Sequence, residues 1–195
     1  MIQRHHLRNT ESATRLLTLT LTLTIMIAPL LPTEAIAAPA DQDHTAHESA
    51  VPAKLVQLVK DATRQFIDVN AATAAGYQPF LGCVSGPDHG AMGFHYVNGP
   101  LVGDGLLDPS RPEVLIYEAS GGGLQLVGVE FVVLADPWLS SHTSPPVLEG
   151  QSFQFVSFPN RYGLPAHFEL HVWAWRENPN GAFVDWNNNV TCEGK

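Results

Sequence analysis

Apolar residues recur every three or four positions in the stretch that follows Ser49, and polar or charged residues fill the positions between them. This spacing is typical of an amphipathic helix. Ser49 can cap the helix and Gly76 can end it. The pattern predicts one long helix of about six turns whose apolar stripe packs on a sheet. The stripe consists of Leu55, Val59, Ala62, Phe66, Val69 and Ala72.

Strand-like segments separated by turns make up the chain after Tyr77. The Ser-Gly-Gly-Gly run at 120–123 is typical of a hairpin connection. With the helix, these segments predict an α+β fold with a curved antiparallel sheet of about five or six strands. The outline is compatible with cystatin-like, NTF2-like or cupin-like architectures. The predicted strands are residues 92–97, 113–119, 124–135, 152–158 and 167–175.

The last predicted strand has two chemically different faces, because side chains alternate across a strand. Its even positions are apolar and suit the side that meets the helix. Its odd positions combine imidazoles, a carboxylate and two indoles, which suits the wall of a concave pocket. We expect the indoles of Trp173 and Trp175 to form that wall. The even set is Phe168, Leu170, Val172 and Ala174, and the odd set is His167, Glu169, His171, Trp173 and Trp175.

Two further polar residues sit on strands opposite an apolar face: Glu130 in the segment 124–135 and His95 in 92–97. A buried carboxylate needs a cation, a metal or a strong donor. Strand positions i and i+2 lie about 6.7 Å apart, so Glu169 can share an ion with His171 or with His167. Nitrogen and oxygen ligands of this kind suit zinc, iron, manganese or oxidised copper. The predicted metal ligands are His95, Glu130, Glu169 and His171, with His167 as a substitute.

Two other interpretations of these residues stay open. The same pocket can serve a non-enzymatic carrier of a small aromatic or apolar ligand, or the residues can be paired polar groups in a structural or interaction protein. Whether the protein is an enzyme also stays open. Glu118, at the end of a hairpin strand, is predicted to lie on the surface, as are the loop residues His89 and His142.

The N-terminus predicts export from the cytoplasm. Residues 1–40 combine three arginines, an uncharged apolar run and small residues near Ala40, which is typical of a secretory signal peptide. The apolar run is too short for a stable membrane anchor. Residues 41–48 are predicted to be a flexible tail and 49–195 a single α+β domain. Two cysteines in an exported domain predict a disulfide between Cys83 and Cys192. The expected location is the periplasm or the extracellular medium.

Charge and missing motifs narrow the function. The net charge is −9 with scattered basic residues, which argues against nucleic-acid binding. The chain has no GxSxG, P-loop or dinucleotide-binding motif, so serine-hydrolase, nucleotide and nicotinamide chemistry have no support.

Four segments resemble an uncharacterised group of small secreted bacterial proteins with no known activity. They are MGFHYVN (92–98), PEVLIYE (112–118), LVGVEFVV (126–133) and HVWAWRENPNGAFVDWN (171–187). The resemblance spans roughly residues 76–192. It implies an exported bacterial protein and assigns no catalytic roles.

Overall fold

The structure is a computed structural model that describes residues 50–86 and 88–193. Short helices pack against a curled six-stranded antiparallel sheet, so the α+β class and the size of the sheet are confirmed. The predicted signal peptide (1–40) and tail (41–48) lie outside the described residues.

The N-terminal helical region is broken into three pieces, so the prediction of one continuous helix is wrong. Helix α1 spans Ala50–Thr63, a 3-10 helix spans Arg64–Ile67, and α2 spans Val69–Ala74. The break lies at Asp68, whose backbone is extended (φ −84°, ψ 112°) and whose carboxylate accepts a hydrogen bond from the Asn70 amide at 2.9 Å. A side chain that caps free amides begins a new helix, and periodicity alone does not reveal it.

The main sheet has the strand order β1-β2-β3-β4-β8-β7, and every pair in it is antiparallel. Strand β1, missing from the predicted set, is an edge strand whose pairing with β2 is irregular between Phe80 and Val84. The strands are β1 (Gln78–Gly86), β2 (Gly90–Val97), β3 (Val114–Ser120), β4 (Gly123–Leu134), β7 (Gln154–Val156) and β8 (His167–Val172). A separate two-stranded sheet pairs β5 (Val147–Leu148) with β6 (Gln151–Ser152).

Two short helices occur where the sequence predicted loop or strand. Helix α3 (Gly99–Asp104) begins at Asn98, whose side chain accepts a hydrogen bond from the Leu101 amide. Helix α4 (Ala135–Ser141) continues directly from the end of β4. Both helices are shorter than two full turns, too short for a periodic apolar pattern to show.

The sheet has one face packed by helices, which we call the first face, and an opposite second face. The first face and the N-terminal helices form the larger core, which includes Leu55, Val59, Phe66, Leu115, Phe131, Phe168, Leu170 and Val172. The even positions of β8 therefore meet the helices as predicted. The second face carries a smaller apolar cluster that includes Val114, Ile116, Val132 and Trp173.

The C-terminal segment, residues 173–192, covers part of the second face. Asn187 exchanges two backbone hydrogen bonds with Ala91 on β2. The predicted disulfide between Cys83 and Cys192 is present, with Cα atoms 5.6 Å apart. It ties the end of this segment to β1.

Glu118 also holds the C-terminal segment, and it is buried rather than exposed as predicted. One carboxylate oxygen accepts a hydrogen bond from the Thr191 amide at 2.9 Å, and the other pairs with the guanidinium of Arg176. Its position at the end of β3 suggested the surface, but residues far along the chain enclose it.

Removal of the disulfide should destabilise the fold. Replacement of both Cys83 and Cys192 by Ala frees a loop with a sequence separation of 109 residues. We expect the free energy of unfolding, from urea titration, to fall by about 2–5 kcal/mol. Wild type under reducing conditions is the matched control. A double variant as stable as oxidised wild type would contradict the anchoring role.

Glu113, immediately before β3, is buried at 1% exposure and accepts one hydrogen bond from the Val132 amide at 3.0 Å. Burial raises its pKa from 4.5 to about 8, although that hydrogen bond opposes the rise. The folded state therefore holds a proton that the unfolded chain releases near pH 4.5.

This carboxyl group should make stability fall with rising pH. Its contribution is complete below pH 4.5 and is lost as pH rises to about 8. The Glu113→Gln variant lacks this pH-dependent loss of stability, because glutamine does not ionise. From pH 4.5 to 8 we expect the variant to gain on the order of 1–3 kcal/mol relative to wild type in urea unfolding. The exposed Glu177→Gln controls for the removal of one charge, and parallel pH profiles of wild type and Glu113→Gln would refute the assignment.

Candidate functional site

Three strands bring the predicted ligands together on the second face. Glu130 on β4 is paired in register with His171 on β8. His95 on β2 is separated from β4 by β3 alone. The curl of the sheet lets side chains from β2 and β4 meet across β3, where the intervening position opposite His95 is Ile116.

His95, Glu130 and His171 form the first ligand group. Their nitrogen and oxygen ligand atoms all lie within 4.8 Å of one another. Nε2 of His95 is 3.7 Å from Oε2 of Glu130, and the two side chains are only 11% and 8% exposed. His171 is almost completely buried at 1%. Two imidazoles and one carboxylate thus converge from three strands.

Glu169, His171 and Asp185 form a second group, again with ligand atoms within 4.8 Å of one another. Asp185 comes from the C-terminal segment, and its Oδ1 lies 3.5 Å from Nδ1 of His171. Gln154 on β7 donates a hydrogen bond to the same oxygen at 2.7 Å. Asp185 was not among the predicted ligands, because it lies in an irregular segment with no alternation of apolar and polar residues. The only sequence signal was the disulfide, which brings this segment to the sheet.

His167 does not belong to either group. Its Nδ1 contacts the carbonyl oxygen of Pro165 at 2.8 Å, and its Nε2 contacts Oε2 of Glu169 at 3.1 Å. Both ring nitrogens are therefore engaged within the protein. His167 therefore contacts the carboxylate of Glu169, and its part as a substitute metal ligand stays a prediction.

Three buried ring nitrogens in the first group make no hydrogen bond to any described residue: Nδ1 of His95 and both nitrogens of His171. Buried polar atoms without a partner are rare, and each costs about 1–3 kcal/mol. All three nitrogens belong to residues of the first ligand group, and Nδ1 of His171 has Oδ1 of Asp185 as an ion-pair partner at 3.5 Å.

Protonation differs sharply among these residues. Burial, with help from the nearby His171, lowers the pKa of His95 to about 4. Burial also raises the pKa of Glu130 to about 8. Burial opposes protonation of His171, but the neighbouring carboxylates of Glu130 and Asp185 outweigh it and raise its pKa to about 9. Perturbed groups of this kind cluster at functional sites.

The Glu169–His167 pair behaves as an internal ion pair. Burial works against the ionised carboxylate, but the hydrogen bond with His167 prevails and lowers the pKa of Glu169. The same contact raises the pKa of His167 despite burial. His95, in contrast, is neutral near pH 7 and can offer a nitrogen lone pair.

A cavity of about 100 Å³ opens beside both groups. Its polar lining consists of His95, Glu130, His167, Glu169 and His171. Tyr162 adds a hydroxyl that contacts the Met92 sulfur at 3.4 Å. The rest of the wall is apolar and consists of Phe80, Leu81, Val84, Met92, Val97, Val102, Val114, Val132, Leu134 and Leu164.

The two tryptophans do not line this cavity, which corrects the predicted pocket wall. Trp173 lies beside His171, with ring centroids 6.1 Å apart, and its indole donates to the Val184 carbonyl. Trp175 packs with the first-face core and donates to the Thr63 hydroxyl at 3.0 Å. Strand β8 ends at Val172, so alternation no longer fixes the face beyond that residue.

Comparison of the chain with protein-family models, with curated proteins and with solved structures gives no match. The disulfide indicates an oxidising environment, as found outside the cytoplasm. Among the helices described, none is long and apolar enough to cross a membrane.

Gly93 sets how closely β2 approaches β3 next to His95. Its φ is +95°, and a Cβ atom there would lie 2.5 Å from the carbonyl oxygen of Tyr117. We expect Gly93→Ala to lose at least about 2 kcal/mol of unfolding free energy, from strain and forced strand separation. Gly103→Ala, with open space around its Cβ position, is the control. Equal stability of the two variants in chemical denaturation would contradict this prediction.

Proposed function

We propose that this protein is an exported domain that binds one divalent transition-metal ion through His95, Glu130 and His171. The observation that carries the proposal is the first ligand group: three buried ligand atoms within 4.8 Å, two of them on imidazoles with unpaired nitrogens. The disulfide and the N-terminal sequence support a location in the periplasm or outside the cell.

The donor set supports a metal over a purely structural role. In a structural network the polar atoms would satisfy each other, as His167 and Glu169 do. Two imidazoles and one carboxylate instead match the ligands of catalytic zinc and of non-haem iron, and manganese or oxidised copper also accepts them. Three protein ligands leave at least one coordination position free.

Surrounding residues would support such an ion. Asp185 lies against His171 and can orient its ring, which is how outer carboxylates act on metal-binding histidines. Glu169 is held by His167 and is available as a further oxygen ligand. A bound ion of this type supplies Lewis acidity toward a coordinated molecule. The apolar wall of the cavity limits water at that position.

A second candidate function is a metal-free carrier of a small aromatic or apolar ligand. The apolar wall of the cavity favours it. This function leaves the unpaired nitrogens of His95 and His171 without a role, so we rank it below the metal site.

Metal content tests the proposal directly. Mature protein purified without a histidine tag should contain about one metal per chain by elemental analysis, or should acquire it on reconstitution. His95→Ala and His171→Ala should each lose it, since removal of one of three ligands opens the site. The identity of the metal would also indicate which class of reaction to assay.

The exposed loop histidines provide the matched controls. His89→Ala and His142→Ala should retain the metal, because neither residue lies in a ligand group. Circular dichroism would check that His95→Ala and His171→Ala are folded. Unchanged metal in both of those variants would refute the site, and no metal in any form after reconstitution would favour the carrier.

A further inference from the structure

The cavity beside the ligand group has one polar region and an otherwise apolar wall. The five histidine and glutamate residues of the lining include all three residues of the first ligand group. Facing them are side chains from several elements, among them Val84 of β1, Met92 of β2 and Val132 of β4. A ligand that fills this space needs one head that contacts the metal and one apolar body.

The open coordination position of the proposed metal site selects the head. Three protein ligands would leave at least one position free. A carboxylate oxygen of a bound molecule is a ligand of the same kind as Glu130 and would take that position. The rest of the wall is apolar, so one carboxylate matches the single polar region.

The volume of the cavity limits the size of the apolar part of the ligand. At about 100 Å³ it is well below the roughly 300 Å³ of the smallest drug-sized pockets. A short branched chain fits this limit, and a long fatty-acid chain does not.

The cavity lining includes residues from an irregular part of β1. Leu81 is the most exposed of the lining residues at 50%, and its φ of +60° is a conformation that branched side chains rarely adopt. It falls in the stretch between Phe80 and Val84 where pairing with β2 is interrupted. Backbone strain of this kind is concentrated at ligand-binding sites.

We infer that the cavity binds a small organic monocarboxylate. Its carboxylate completes the coordination of the metal, and its short apolar chain lies against Val84, Met92 and Val132. This inference rests on the proposed metal site and adds the class of ligand to it.

The test uses the full mature protein loaded with Co²⁺, whose visible absorption reports changes in coordination. Cobalt content is measured first, and the protein is then titrated with 3-methylbutanoate. We expect a saturable spectral change, with binding at least about tenfold tighter than that of acetate, because the added carbons are buried at the apolar wall. The uncharged 3-methylbutan-1-ol should bind at least about tenfold more weakly than the acid, and dodecanoate should not bind in the cavity.

Two leucine-to-tryptophan variants locate the binding. Leu164→Trp fills part of the cavity, so its affinity for 3-methylbutanoate should be at least about tenfold lower than that of wild type. Its cobalt content should be unchanged. Leu106→Trp, at a position that is 63% exposed and outside the lining, should behave as wild type. If Leu164→Trp does not fold, the relative affinities of wild-type protein for the four ligands still test the inference.

The outcomes separate the two proposals. Protein that binds no cobalt overturns both the metal site and this inference. Cobalt-loaded protein that does not respond to 3-methylbutanoate, or that binds acetate, the alcohol or dodecanoate equally well, overturns the monocarboxylate alone. Unchanged affinity in Leu164→Trp also overturns it, since the ligand would then lie outside the cavity.

Discussion

The attachment of the C-terminal segment to the second face of the sheet is the constraint on which the rest of the structure depends. The N-terminal helices cover the first face, whereas the second face packs with Val102 of helix α3 and with the C-terminal segment. The Cys83–Cys192 disulfide and the Asn187–Ala91 bridge hold the segment in place. The segment then encloses Glu118 and brings Asp185 to His171. The segment thus supplies one residue of the second ligand group, whereas the apolar wall of the cavity comes from other elements, among them Val84 of β1, Val102 of α3 and Leu164.

Local geometry explains which features could be predicted from sequence. Alternation along β8 separates helix-facing from site-facing residues because the strand is regularly paired with β4 over its whole length. The same rule placed Glu130 and His95 on the site face. The disulfide followed from the number of cysteines and the signal of export. The predictions from alternation depend on neighbours along the chain, whereas the disulfide depends on the presence of two cysteines.

Features that depend on distant contacts could not be predicted. Glu118 is buried because Arg176 and Thr191 enclose it, and both are more than fifty positions away. Trp175 turns to the helix side after pairing in β8 stops, and it finds the Thr63 hydroxyl there. Asp185 reaches the site through the path of the C-terminal segment. None of these contacts leaves a periodic pattern in the sequence.

The buried ionisable groups of this protein differ in how far the polypeptide compensates them. Glu113 accepts an amide hydrogen bond, and Glu118 accepts one and also has an ion-pair partner. At the cavity, His95 and His171 keep unpaired ring nitrogens. A fold that satisfies its buried carboxylates elsewhere has the means to satisfy two imidazoles as well. Buried polar atoms without hydrogen bonds are expected where function requires them. Among the described residues the other buried side-chain nitrogen without a hydrogen bond is Nε of Arg176, and the proposed metal would supply the partner that the histidine nitrogens lack.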